Sequence, residues 1–199
     1  PNTSVQLLLG ENEIRVSRSI YHLARVYVEP TNACNLDCVT CMRQVWDEKP
    51  GMMSEKTFAN ILEGVQTLNP RPTVFFGGFG EPLSHPRIVE MIRQVKALGA
   101  PVELITNGVF LSEKMALRLL EVELDMLWVS LDGASPDSYE DVRMGAELPQ
   151  VIENLSRLRY LRYRGSRLKN TLQLGIAFVA MQRNIKDLPQ VLALGAKLG

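Results

Sequence analysis

Three cysteines lie within eight residues as Cys34-x3-Cys38-x2-Cys41, and the chain has no others. Thiolates are soft ligands that favour iron–sulfur clusters, zinc or cuprous ions. At these spacings a helix would put all three on one face, as it would three small buried apolar residues. Asn32, Asn35 and Asp37 argue against a helix, because short polar side chains compete for backbone hydrogen bonds and favour turns. The segment therefore reads as a loop on which three thiolates converge. An odd, clustered set in a chain without a secretion signal argues against disulfides and for a reducing compartment, the cytoplasm. A structural zinc ion needs a fourth protein ligand, and only His22 and His85 are on offer. Two readings remain. One is a zinc-binding module of the three cysteines and a histidine. The other is a [4Fe–4S] cluster on three thiolates, with one iron left open for a substrate or cofactor.

Further unusual residues recur, each at the end of a β-branched or aromatic run. Gly77-Gly78-Phe79-Gly80-Glu81-Pro82 follows TVFF, and Thr106-Asn107-Gly108 follows VELI. Ser130-Leu131-Asp132-Gly133 closes MLWVSL, and Met181-Gln182-Arg183-Asn184 closes LQLGIAFVA. Glycines let the backbone approach a ligand closely. Such a loop also suits phosphate at a helix N-terminus, but Glu81 directly after it would repel an anion. Each element has a plain reading: a tight turn, helix caps at Ser130 and Asp132, an ion pair at Arg143, a core methionine at Met181. Their joint placement points to one site, because chemistry in α/β folds collects beyond the C-terminal ends of strands. Trp46 and Met52-Met53 follow the cysteine loop closely enough to roof or bury that site.

The elements that must position these residues alternate strand and helix. Strands are expected at Arg25–Glu29, Thr73–Phe76, Val102–Ile105, Met126–Leu131 and Leu172–Ala180. Ser54 is an N-cap for EKTFANILEGVQTL, whose Phe58, Ile61, Leu62, Val65 and Leu68 share a face. His85-Pro86 opens RIVEMIRQVKALG, with Gly99 as its stop. Ser112 caps EKMALRLLEV, Pro149 lies near the start of QVIENLSRLRYLRY, and Asn184 or Asp187 precedes LPQVLALGAKLG. Alternation means a parallel sheet with right-handed crossovers. Five units are too few for a closed eight-stranded barrel. The expected fold is α/β, a partial, truncated TIM-type barrel over residues 25–199. Residues 1–24 form a hairpin-like extension, with Val5–Ser19 as the hairpin.

Composition bounds the rest. The chain has 199 residues, 46% hydrophobic and 22% charged, with 22 basic and 22 acidic side chains. That is ordinary for a globular protein and excludes disorder. Zero net charge gives no reason to expect nucleic acid or an anionic membrane as partner. No apolar run approaches the roughly 18 residues of a membrane span. Residues 157–169 (RLRYLRYRGSRLK) are basic, and read as a solvated helix face. The N-terminus lacks Met and signal-peptide features, so an excised piece of a longer protein is expected.

C-x3-C-x2-C on the first strand–helix loop of a parallel α/β chain resembles the radical S-adenosylmethionine (radical SAM) superfamily. The resemblance covers about residues 24–199. It implies that Cys34, Cys38 and Cys41 hold a [4Fe–4S] cluster whose open iron binds the methionyl amino and carboxylate groups of S-adenosylmethionine. The cluster then donates an electron to the sulfonium, the S–C bond breaks homolytically, and a 5′-deoxyadenosyl radical takes hydrogen from the substrate. Gly-Gly-Phe-Gly-Glu-Pro resembles the element that binds the methionyl amino group, through a carbonyl of Gly78, Phe79 or Gly80 and with Glu81 near the ammonium. Thr106 and Asn107 resemble a Thr-Asn-Gly near cofactor or substrate. Ser130 and Asp132 resemble a Ser-Leu-Asp whose serine reaches the carboxylate or ribose. Arg143 lies where relatives place a carboxylate-binding arginine, and Met181 at a strand end against adenine. Thr40 departs from the pattern, since an aromatic residue usually precedes the third cysteine. The branch resembled matures peptides, enzymes or cofactors, and CNLDCVTCMR followed by VWDE is similar to maturases linked to tungsten-cofactor oxidoreductases. Its members usually carry further cysteines in a C-terminal extension, which this chain lacks. The implied partners are S-adenosylmethionine, an electron donor such as flavodoxin or ferredoxin, and a peptide, protein or small-molecule substrate.

Overall fold

The alternation read from the sequence is present in a computed structural model, which describes residues 3–9, 14–20, 22–164 and 172–198. Strands β1 (Thr3–Leu9) and β2 (Ile14–Ile20) pair antiparallel, Thr3 opposite Ile20. These strands fall in the segment expected to form a hairpin; residues 10–13 between them lie outside the described residues. Then follow β3 (Arg25–Val28), α1 (Glu55–Thr67), β4 (Thr73–Phe76), α2 (Ile88–Ala97), β5 (Val102–Thr106) and α3 (Glu113–Glu121). The chain continues through β6 (Met126–Ser130), α4 (Pro136–Glu140), α5 (Leu148–Arg164), β7 (Gln173–Ala177) and α6 (Leu188–Leu198). Strands β3 to β7 lie in sequence order in one parallel sheet that does not close.

Local chemistry fixes the helix starts. Ser54 accepts from the Thr57 amide and Ser112 from that of Met115, so both caps are where the sequence places them. Gly99, at φ +75°, ends α2 in a left-handed conformation that disfavours side chains. The short α4 was not legible; its N-cap is Ser135 in a reciprocal box with Ser138.

Alternate strand residues point to opposite faces. Val28, Val74, Phe76, Val102, Leu104, Leu127 and Val129 are buried in the core. The intervening residues on the other face include Arg25, Tyr27, Phe75, Glu103 and Trp128. The Tyr27 and Phe75 rings meet at a tilt with centroids 5.1 Å apart, and Glu103 accepts from Arg25 and from Trp128 Nε1, both at 2.8 Å.

The last strand ends at Ala177, not at Ala180. Its ladder stops with β6, and the Val179 amide turns to Asp132 Oδ1 at 2.7 Å instead. The described part of the basic run lies on α5, where Arg159 and Arg164 lie over the Tyr163 and Tyr160 rings. Residues 165–169 of that run lie outside the described residues. Among the described residues no helix is long and apolar enough to cross a membrane.

Candidate functional site

The cysteine segment is a loop, as Asn32, Asn35 and Asp37 require. Its neck is closed by a bridge between Thr31 and Met52, by Thr31 Oγ1 donating to the Gly51 carbonyl at 2.6 Å, and by the Gly51 amide donating to Asn32 Oδ1 at 2.6 Å. Its body pairs with the segment after α4, because the Asp37 and Val39 amides donate to the Met144 and Val142 carbonyls, each at 3.0 Å. Cys41 follows a turn in which its amide donates to the Cys38 carbonyl at 3.0 Å, and a 3-10 turn over Met42–Val45 leads out.

The glycine-rich loop after β4 is held from two sides. Glu29, at the end of β3, accepts from the Phe79 and Gly80 amides at 2.5 and 3.3 Å. The Glu81 amide donates to the Ala33 carbonyl at 2.9 Å, which brings this loop against the cysteine loop. Gly80 has no room for a side chain, since a Cβ there would sit 1.9 Å from the Thr31 carbonyl oxygen. Glu81 is buried, and both of its carboxylate oxygens are engaged. Oε1 accepts from the Leu83 amide at 2.9 Å and the Thr106 hydroxyl at 2.7 Å, and Oε2 from the Asn107 amide at 2.8 Å. Burial pushes its carboxyl up, and these donors oppose the shift.

Asn107 donates to Asn35 Oδ1 at 2.9 Å and faces Cys34 Sγ at 3.9 Å. Asp132, fully buried, accepts from Arg143 Nε at 2.6 Å. The Arg143 guanidinium also presents Nη1 to Cys38 Sγ at 3.7 Å. Burial would lower the Arg143 guanidinium, but Asp132 and Cys38 outweigh it and hold it above its usual range. Burial raises the Cys38 thiol against the pull of Arg143, and raises the Cys34 thiol against the Leu36 backbone.

These loops enclose a cavity of about 250 Å³. Its lining includes Cys34, Cys38, Cys41, Thr40, Gly78, Phe79, Gly80, Glu81, Thr106, Asn107, Ser130 and Arg143. Trp46 meets Phe79 edge-on with ring centroids 5.1 Å apart. Two expected site residues are not in the lining. Asp132 acts from behind Arg143. Met181 lies in a separate surface groove with Gln182 and Arg183, and its amide is taken by Asn184 Oδ1 at 2.8 Å. Sequence reasoning missed Glu29, and it read Asn35 only as a turn former and Asn184 only as a strand-end or capping residue, without the bonds they make in the site. Asn184 Nδ2 donates to the Asp132 carbonyl at 2.9 Å and the Val179 carbonyl at 3.0 Å. The one signal for Glu29 was its place at the expected end of a strand.

The donor set decides between the two metal readings. All three thiols are free and face one cavity. Neither histidine joins them. His22 is exposed, and His85 lies in another hollow with Met52, Met53 and Phe58, its Nδ1 accepting from the Arg87 amide at 3.2 Å. Among the described residues no three His, Cys, Asp or Glu side chains close onto a point that would hold one metal ion. Three soft ligands around a cavity fit a cluster with a separate metal atom for each thiolate, and the zinc module lacks its fourth ligand.

The tungsten-containing aldehyde ferredoxin oxidoreductase cofactor-modifying protein of Pyrococcus furiosus is 32% identical over 175 residues, 87% of this chain and 48% of that protein. Among solved structures, Streptococcus suis SuiB bound to its precursor peptide SuiA superposes with a TM-score of 0.71 at 17% identity, over 89% of this chain and 37% of that one. Native anSMEcpe with bound AdoMet and the Cp18Cys peptide gives 0.68 at 18% identity, over 87% and 48%. The chain spans about half the length of the curated relatives it matches. The Radical SAM superfamily profile matches residues 28–172, from the end of β3 to the start of β7, and the chain belongs to that superfamily.

Proposed function

We propose that Cys34, Cys38 and Cys41 hold a [4Fe–4S] cluster and that the cavity beside them binds S-adenosylmethionine. The observation that carries this is the convergence of three free thiols and four strand-end loops on one cavity within the superfamily's matched region. Held by Cys34, Cys38 and Cys41, such a cluster would supply the one electron needed for reductive cleavage of S-adenosylmethionine to methionine and a 5′-deoxyadenosyl radical that would take hydrogen from the substrate.

The chain's residues divide into those that touch the cofactor and those that hold them. Gly78, Phe79 and Gly80 present backbone groups to the methionyl ammonium. Arg143 faces the carboxylate, and Ser130, Thr106 and Asn107 line the remaining wall. Glu81 and Asp132 act through Asn107 and Arg143. The Phe79–Trp46 pair covers the mouth, where Thr40 offers no ring. Residues 25–199 are the core in this reading, and residues 1–24 an extension to it.

The substrate is a peptide, a protein or a cofactor precursor undergoing maturation. The Pyrococcus furiosus relative modifies a cofactor and SuiB is seen with a precursor peptide, which supports this class. Three unpaired thiols and an oxygen-sensitive cluster suit the cytoplasm, with a flavodoxin or ferredoxin as electron donor. The test is anaerobic reconstitution of Cys34→Ala, Cys38→Ala and Cys41→Ala. Each should retain under about a third of the wild-type iron, because no other cysteine can substitute. Near-wild-type iron in any one of them overturns the assignment.

A further inference from the structure

We propose that Arg143, anchored by Asp132, is a hydrogen-bond donor to the Cys38 sulfur that makes the cluster easier to reduce. The inference rests on the reading that the three cysteines hold a [4Fe–4S] cluster. It gives Arg143 a task in addition to facing the methionyl carboxylate.

The contact is fixed from both ends. Cys38 lies between Asp37 and Val39, whose amides bond to Met144 and Val142, the two neighbours of Arg143. The backbones of donor and acceptor are therefore paired directly. The Arg143 amide is itself bonded to the Tyr139 carbonyl at 2.8 Å. At the side-chain end, a guanidinium is a rigid planar fork. Its Nε is held at 2.6 Å by Asp132, so the direction of Nη1 toward Cys38 Sγ at 3.7 Å is determined. Asp132 cannot swing, since it is fully buried and its other oxygen holds the Val179 amide at 2.7 Å. The arginine side chain is only 12% exposed, so water does not compete freely.

The physical effect has a definite sign. Reduction is the uptake of one electron by the oxidised cluster from a low-potential donor, with no proton taken up and no bond made or broken. The added charge spreads onto the sulfurs, and an N–H aimed at one of them stabilises the reduced state more than the oxidised state. Asp132 offsets the guanidinium's net charge at longer range, so the pair delivers a short-range donor with almost no added charge. Asn107 does the same more weakly for Cys34 at 3.9 Å. Among the described residues no side-chain donor reaches Cys41.

The test is a potentiometric titration of the reconstituted chain, followed by EPR without S-adenosylmethionine, using titanium(III) citrate as reductant. The double variant R143M/D132N removes donor and anchor together, so net charge is unchanged. Its cluster should be about tenfold harder to reduce, a shift of about 59 mV for one electron. Arg143→Lys keeps the charge and loses the fork, and should shift the potential the same way by less. A purely structural role would lower iron content and thermal stability while leaving the potential of the remaining cluster in place. Unchanged potentials in both variants at full iron content overturn the proposal and leave the cluster reading standing. If the double variant does not fold, the lysine variant decides alone. If the wild type retains no iron, the cluster reading fails and this inference with it.

Discussion

Glu81 occupies the position where the superfamily resemblance sets a carboxylate beside an ammonium. In the structure both of its oxygens are already engaged, by Leu83 and Thr106 on one side and Asn107 on the other. Its work is to tie the loop after β4 to the loop after β5. Glu81→Gln replaces one acceptor with an amide N–H that faces the Asn107 N–H. That orphans a buried donor and should destabilise the cluster-free protein by about 1–3 kcal/mol in urea unfolding. An unchanged unfolding midpoint, with weakened S-adenosylmethionine binding alone, would show that Glu81 acts on the ligand instead. The cysteines, the glycine loop and Arg143 were legible because their residue types carry chemistry and their spacings are local. The partners that orient them were not. Glu29 is 50 residues from Phe79 in sequence, and Asn184 is 52 from Asp132, and nothing in either residue type announces the contact.

Between residues and the whole chain, loops and caps decide where the site forms. The cysteine loop and the glycine loop touch at Gly80, where a β-carbon would collide with the Thr31 carbonyl oxygen. A backbone contact cannot yield as a side chain does, so Gly80→Ala must part the two loops. The expected loss is about 3 kcal/mol, the upper part of the overpacking range, together with poor iron retention after reconstitution. Wild-type thermal stability with full iron would refute the contact. A second device is His85, buried between the end of the glycine loop and α2. Burial holds its ring below the usual histidine range against a backbone hydrogen bond at Met53, and Arg87 adds to the lowering. The folded chain therefore binds this proton less readily than the unfolded chain. The stability it confers is complete above about pH 6.5 and is lost as the pH falls toward the lowered value. Thermal midpoints of the cluster-free protein should fall between pH 7 and pH 5, and His85→Gln should flatten that slope. An equal slope in the variant would assign the acid sensitivity elsewhere. Element types and most boundaries could be read from caps and periodicity. The exceptions were α4, too short for a periodic signal, and the end of β7, where the apolar run continues past the last ladder bond.

At the scale of the whole molecule, the C-terminal ends of the strands of an open sheet, with the loops that leave them, carry every group proposed to bind the cofactor. The parallel order places five strand ends side by side, and hydrophobic burial on the helix face sets their height. That much follows from strand–helix alternation. What sequence could not show is that the strand ends are laced to one another. Glu29 links β3 to the loop after β4, Glu81 continues to β5, Asn107 returns to the cysteine loop, and Asp132 reaches Val179 beyond β7. The acceptors in this lacing are side chains, and three of them, Glu29, Glu81 and Asp132, hold loop amides by charge-assisted bonds. Segments that look like ordinary surface connections should then open only with the sheet beneath them. In deuterium exchange, the amides of Phe79, Leu83, Asn107 and Val179 should be protected like those inside β5, and rapid exchange would mean that the lacing is loose. A rim already ordered before a ligand arrives surrenders little conformational freedom on binding. The same lacing makes the cavity a poor place for gradual change: a substitution at one strand end is felt at its neighbours, so a new substrate preference is more readily acquired at the exposed Phe79–Trp46 mouth than along the walls.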